Sequence, residues 1–430
     1  MKNFSKIFFL AVLFFGVFAL AKSSQAAAIY VDNTTTSCSM PSDTDYDPAT
    51  DTCGSGAYTV YDAIQGAADV VNAGDTVIVK DGTYGSEGKQ FPLNIKISGN
   101  PNTWITFKAE HKWKAVLNGD GTAHSYINFE APVSYIRIEN FEITNCHDSG
   151  FWAQANFIDN SKPSHDIVIK GNHIHHIGNY ETTSDYGITG IYLGSLNHHY
   201  IIDGNLWHDI GRTGPDNIWY NKDHSLYFSD WPPGACHHVT VTNNITYRNS
   251  GGAMETSCTD SIYSNNVFAW PNSNSRGGPQ LLDFGNPTNS IIQNNIFYQP
   301  GQNGSGQAAF YVYAPTNNVT VRNNIVYDGT MWFAGEDPKF IMNNNYCQAN
   351  CDYPEADPKF IGVSNDGNWA NDNWALQPDS LAIERGVSDG APAYDFDGNL
   401  RTGIPDIGAY EYVSGGDITP PSAPTGLAVQ

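Results

Sequence analysis

The chain has 430 residues, with 21 Lys and Arg against 44 Asp and Glu, a formal charge of −23 at pH 7. That acidity argues against nucleic acid or an anionic membrane as the main partner, because phosphate would repel it. Aromatic residues reach 13%, charged residues only 15%, and there are 41 Gly, which argues against both a disordered and a helical chain.

Residues 1–28 read as a secretory signal. Lys2 and Lys6 precede an apolar run from Ile7 to Leu20, and both Ser24-Gln25-Ala26 and Ala26-Ala27-Ala28 offer small residues for cleavage. The run is short for a membrane span. Loss of Lys2, Lys6 and Lys22 takes the charge from −23 to −26. Secretion permits disulfides, and Cys38 and Cys53 are a local pair in the segment 29–84. Apolar residues at Val60, Ile64, Ala67, Ala68 and Val71 predict a helix over 60–71. Strand-like Thr76-Val77-Ile78-Val79 and Gly82-Thr83-Tyr84 follow.

From residue 136 the sequence repeats itself. Ile136 to Phe141 opens the series, and Ile167 to Asn172, Tyr200 to Asn205 and Val239 to Asn244 continue it. Ile262 to Asn266, Ile291 to Asn295, Val319 to Asn324 and Phe340 to Asn345 follow. Phe141 heads a column otherwise occupied by Asn172, Asn205, Asn244, Asn266, Asn295, Asn324 and Asn345, at a mean step of about 29 residues. Apolar residues alternate ahead of this column, so each unit contains a strand. Each strand ends in Asn-Asn or Gly-Asn, residues that tolerate the left-handed conformation of a tight bend. A second strand lies about thirteen residues earlier, at Gly190 to Leu193, Ser225 to Phe228, Gln280 to Leu282 and Phe310 to Val312. Short strands in units of ~20–40 residues, without helices between them, predict an all-β fold, the right-handed parallel β-helix.

The register makes further predictions. Cys236 and Cys258 both lie eight residues before their column Asn. Strands stack about 4.8 Å apart, within the reach of a disulfide. Cys347 and Cys351 are a second local pair, and Cys146 is left over as a buried thiol. Eleven of the thirteen histidines fall between His147 and His238. Thr144, His175, His208 and Tyr247 share one column, and Asn145, His176, Asp209 and Arg248 the next. His165, His198 and His237, with Asp166, His199 and His238, form a turn ladder before the strand. Tyr192, Tyr227 and Tyr311 share an outward column on the other strand. Such aromatics suit sugar rings, which have an apolar face and a polar rim. Asp223 and Glu255 are polar neighbours on the same strands, with Asp283 one coil beyond Glu255. Asp395, Asp397 and Asn399, at alternate positions with Gly398 between the last two, are a candidate Ca²⁺ loop or an Asx-rich turn.

The segment 29–84, and the run from Leu376-Gln377-Pro378 to Pro405-Asp406-Ile407-Gly408-Ala409-Tyr410-Glu411, resemble the N-terminal cap and closing segment (357–413) of secreted β-helix proteins. The resemblance covers 29–413 and points to polysaccharide lyases, epimerases and related carbohydrate-active proteins of the pectate-lyase-like superfamily. Asp417 to Leu427 resembles the opening of a fibronectin type III module, so 414–430 reads as linker. The lyase resemblance implies a groove that holds an acidic polysaccharide. A base removes the proton beside a uronate carboxylate, and a cation, Ca²⁺ or a basic side chain, neutralises that carboxylate. His224, His176 and His208 are candidate bases, and Arg248 and Lys222 candidate carboxylate partners. A secreted, monomeric lyase is the leading reading. A non-catalytic carbohydrate-binding or cell-surface β-helix and a glycoside hydrolase are the alternatives.

Overall fold

The computed structural model describes residues 26–130, 132–154, 162–178, 187–212, 222–229, 234–270, 282–284, 287–300, 308–312, 317–335, 340–347, 351–354 and 357–414. The expected signal run and the fibronectin-like tail lie outside these residues. The Ala27 N–H donates to the Asp75 carboxylate at 2.8 Å, and Ala28–Val31 is already a strand.

The chain winds into a right-handed parallel β-helix. Three long sheets run its length: sheet 1 with 14 strands, sheet 2 with 10 and sheet 3 with 9. Each coil contributes one strand to each sheet. For example, Thr189–Leu193, His198–Asp203 and Leu206–Ile210 belong to sheets 3, 1 and 2 in turn. The core is a continuous stack of inward residues such as Ile167, Ile169, Tyr200, Ile202, Val241 and Tyr263. The repeated alternation in the sequence is this inward column.

The two residues that end each sheet 1 strand do different work. The second is the column Asn, fully buried at Asn172, Asn205, Asn244, Asn266, Asn295, Asn324 and Asn345. Its Oδ1 accepts the backbone N–H and the Nδ2 of the preceding coil's Asn, as from Asn266 to Asn295 at 3.0 and 2.9 Å. Phe141 lacks the amide but donates its N–H to Asn172 Oδ1 at 2.9 Å, which starts the ladder. At the last coil the Asn345 N–H meets the Asp352 carboxylate at 2.9 Å. The residue before the column is left-handed on every coil, with φ between 52° and 68° from Asn140 to Asn344.

Those left-handed asparagines face outward and dock the closing segment. Asn243, Asn265, Asn294 and Asn323 donate Nδ2 to the carbonyls of Tyr394, Asp406, Val387 and Arg385. Residues 360–412 therefore lie along the flank of the solenoid over the outer face of sheet 2. Phe360, Trp374, Phe396, Ile407 and Tyr410 pack there on Leu206, Ile245, Val267, Ile296 and Ile325.

The N-terminal segment differs from expectation. The helix spans only Ile64–Ala68, and Tyr58–Tyr61 is a strand that pairs with Ala28–Val31. Val60, Ile64, Ala67, Ala68 and Val71 are all buried as the stripe implied. The β-branched and aromatic residues of Tyr58-Thr59-Val60-Tyr61 favour the strand. All three expected disulfides are present: Cys38–Cys53, Cys236–Cys258 and Cys347–Cys351. Burial pushes the remaining Cys146 thiol up to about 12, which leaves it unreactive. Among the described residues no helix is long and apolar enough to cross a membrane.

Candidate functional site

Sheet 3 presents one outward column. Its register runs Asn94, Asn128, Trp152, Tyr192, Tyr227, Glu255, Asp283 and Tyr311. The shared column of Tyr192, Tyr227 and Tyr311 is thus real, with the two acids between them. The side chains of Asp283 and Tyr311 lie outside the described part. Trp152 is a member that the sequence pattern missed. Its signal is Gly150-Phe151-Trp152-Ala153, which matches Gly190-Ile191-Tyr192-Leu193. The glycine is needed for close approach: a Cβ at Gly190 would lie 2.5 Å from the Ser225 carbonyl oxygen and 2.7 Å from Trp207.

The rings of this column stack on one another. Trp152 and Tyr192 are 4.3 Å apart with planes 18° apart, and Tyr192 and Tyr227 are 5.6 Å apart at 8°. Stacked rings offer edges and hydroxyls outward. The outer face of Trp152 is met by the His124 ring at 4.6 Å and 89°. The His124 Nε2 in turn lies 3.3 Å from Asp148, whose other oxygen is 2.9 Å from His147 Nδ1. At the opposite end the neighbour of Tyr227 is the half-buried Glu255. Burial pushes the Tyr227 hydroxyl up to about 12.

His224 begins the strand that carries Tyr227. Its ring is buried 6.1 Å from the Tyr227 ring, and its Nε2 is 3.7 Å from the Glu255 carboxylate. Lys222 lies two residues earlier and is half-buried. Asp223 is committed elsewhere. It accepts Arg212 Nη2 at 2.5 Å and Arg212 Nε at 3.0 Å, together with the backbone N–H groups of Arg212 and Ile188. It anchors the corner before the strand, and no acceptor is left for a substrate hydroxyl.

The other expected site residues lie on a different face. His208 and His176 sit on sheet 2 with His173 and His175, and Arg248 follows the next sheet 2 strand. His208 is fully buried, stacked between His175 at 5.1 Å and Tyr247 at 5.3 Å, with Trp369 of the closing segment 6.0 Å away. Its two nitrogens meet Asp209 at 2.6 Å and His173 at 2.7 Å. Burial pushes this imidazole down to about 3. Arg248 is paired to Asp209 at 2.7 and 3.1 Å. Burial alone would raise the Asp209 carboxyl, but its bonds to His208 and Arg248 hold it well below the usual range. The exposed His176 contacts His175 Nδ1 at 2.6 Å. His208 and Arg248 thus belong to a packed network beneath the closing segment, with the exposed His176 at its margin, apart from the sheet 3 row.

The Ca²⁺ loop does not fit a cation. Asp395 Oδ1 accepts the N–H groups of Asp397 and Asn399 at 3.0 and 2.7 Å, and Oδ2 accepts Asn399 Nδ2 and the Glu411 N–H. Burial raises the Asp397 carboxyl, and the nearby Lys112 ammonium draws it back down. The loop is an Asx-type turn that ties down the closing segment.

No protein-family model matches the chain, and no curated protein matches it. Solved structures do resemble it. A pectate lyase is 15% identical over 90% of this chain and 97% of its own, with a TM-score of 0.47. An alginate lyase from a Paenibacillus species is 16% identical over 68% and 93%, also at 0.47. A rhamnogalacturonan lyase is 12% identical over 85% and 97%, at 0.45.

Proposed function

We propose that the chain is a secreted polysaccharide-active protein and that it cleaves a uronate-containing polymer by β-elimination on the outer face of sheet 3. The observation that carries this reading is the juxtaposition of His224, Glu255 and Tyr227 at one end of the Trp152–Tyr192–Tyr227 row. The row supplies ring edges and hydroxyls along the polymer, and the Glu255-side face of Tyr227 meets one sugar. His224 is the base; its buried ring lies behind Tyr227 with Nε2 3.7 Å from Glu255, so the sugar reaches it by displacing these two neighbours. His224 takes the proton beside the uronate carboxylate. Those electrons form the new carbon–carbon double bond as the 4-linked oxygen leaves with its electron pair. Lys222 neutralises the uronate carboxylate. No step is routed through Ca²⁺, because the loop at 395–399 is closed by its own chain.

Register favours a second reading. Glu255 and Asp283 are neighbours in the column. Two acids in register on adjacent strands are the residue types a glycoside hydrolase requires.

Incubation with a panel of uronate polymers, with added Ca²⁺ and with chelator, separates the readings. Unsaturated product detected by absorbance, lost by about 100-fold or more in His224→Ala, is the expected result. New reducing ends without unsaturation would point to hydrolysis. Retention on a polysaccharide gel with no product would leave a binding module and overturn the enzymatic reading.

A further inference from the structure

The turn from sheet 3 into sheet 1 carries a second concentration of imidazoles, which the proposed chemistry does not use. His198 and His199 stand on one coil, His237 and His238 on the next. The His198 and His237 rings stack 4.6 Å apart at 7°, and the His199 and His238 rings 4.6 Å apart at 3°. Within each coil the two Nδ1 atoms approach to 2.7 Å at His198/His199 and 2.8 Å at His237/His238. One nitrogen each from His198, His199 and His237 falls within 4.8 Å of the others.

His199 and His238 occupy a left-handed column, with φ of 57° and 56°. Elsewhere that column holds Tyr135 at φ 62°, and Asp166, Asp260, Asn289 and Asn318 at φ between 51° and 55°. Asp and Asn suit this conformation because their short side chains bond locally. Histidine at two successive positions departs from that pattern and doubles the imidazoles at one spot. Asp166 sits in the same column one coil earlier, beside His165, with its Oδ2 2.7 Å from His165 Nδ1.

We propose that His198, His199 and His237, with His238 as a fourth imidazole, form a binding site for a borderline divalent transition metal, Zn²⁺ or Ni²⁺ in kind. Metal–nitrogen bonds of about 2.0–2.1 Å put neighbouring ligand nitrogens about 3.0–3.4 Å apart. The 2.7 and 2.8 Å pairs reach that spacing by small rotations of half-exposed and exposed rings. An all-nitrogen set selects these ions over Ca²⁺, which takes oxygen. The histidines under Trp369 are a poorer site, since their nitrogens already meet Glu142 and Asp209.

The test is calorimetric titration of the full-length protein, stripped with chelator, with Zn²⁺ and separately with Ni²⁺. One equivalent should bind. The double variant His199→Asn/His238→Asn keeps the backbone conformation that asparagine already adopts in this column, and it should lose that equivalent by 100-fold or more in affinity. His111→Ala, at an exposed His/Asp/Glu group elsewhere, should leave it unchanged. Wild-type protein that binds neither ion below about 1 mM, or a folded double variant that binds within tenfold of wild type, overturns the proposal.

Discussion

The interior amide ladder is open to a quantitative test at Asn295. This residue is fully buried in mid-solenoid. Its Oδ1 accepts the Asn266 N–H at 3.0 Å and Asn266 Nδ2 at 2.9 Å. Its Nδ2 donates to the Tyr263 carbonyl at 2.9 Å and to Asn324 Oδ1 at 3.0 Å. Asn295→Ala removes all four bonds, but not all the partners are stranded. Asn266 Nδ2 keeps Val241 and Ser264, and Asn324 Oδ1 keeps the Asn295 N–H. The Asn266 N–H and the Tyr263 carbonyl lose their ladder partner. At about 1–3 kcal/mol for each stranded buried group, the expected loss is about 4 kcal/mol. The adjacent Asn294→Gly keeps the left-handed backbone available. It removes mainly the bonds to Val387 of the closing segment, for about 1–2 kcal/mol. Urea unfolding followed by tryptophan fluorescence measures both. A loss below about 1 kcal/mol for Asn295→Ala, or equal losses at the two sites, would refute the division of labour between neighbouring asparagines.

Replacing Cys236 and Cys258 by Ala opens a loop with a separation of 22 residues. It should lower unfolding free energy by about 3 kcal/mol, read from the same denaturation curves. Stability should also fall on acidification. His208 and His198 are held at about 3 and about 4 in the fold, from 6.5 unfolded. The unfolded chain therefore binds more protons between pH 6.5 and these values, and the stability present above 6.5 is lost as pH drops through that window. Asp372 and Asp406, raised to about 6 mainly by burial, act in the opposite sense below pH 6. A thermal midpoint that stays flat or rises from pH 7 to 4 contradicts the neutral, packed histidines. Tyr227→Ala should weaken polymer binding by about 2–10-fold, measured as KM or gel retardation. Tyr58→Ala, on the distant N-terminal strand, should not.

The fold was legible because its repeat is written in side chains that each do one job. Alternating apolar residues give the inward column. The Asn column and Cys236/Cys258 set the register directly. The site was less legible because sequence fixes which residues share a column but not which face is covered. His208 and His224 both lie on strands in the same histidine-rich stretch. One lies beneath Trp369, because the closing segment returns over sheet 2, and the other beside Glu255 on sheet 3. That return is made by Asn243, Asn265, Asn294 and Asn323 reaching residues 62 to 151 positions away, a distance no local pattern reports. Trp152 was missed because its strand belongs to a coil before the clear Asn repeat begins. The loop at 395–399 has the composition of a cation site, but both Asp395 oxygens are taken up by N–H groups of its own chain.

Asp352 closes the amide ladder with a carboxylate. Each asparagine both receives from the coil before it and gives to the coil after it, so the pattern could in principle continue without limit. A carboxylate receives but has nothing to give. Among the described residues the run of amide-to-amide bonds therefore stops at Asn345, and its length is set by one short acidic turn rather than by the repeat itself.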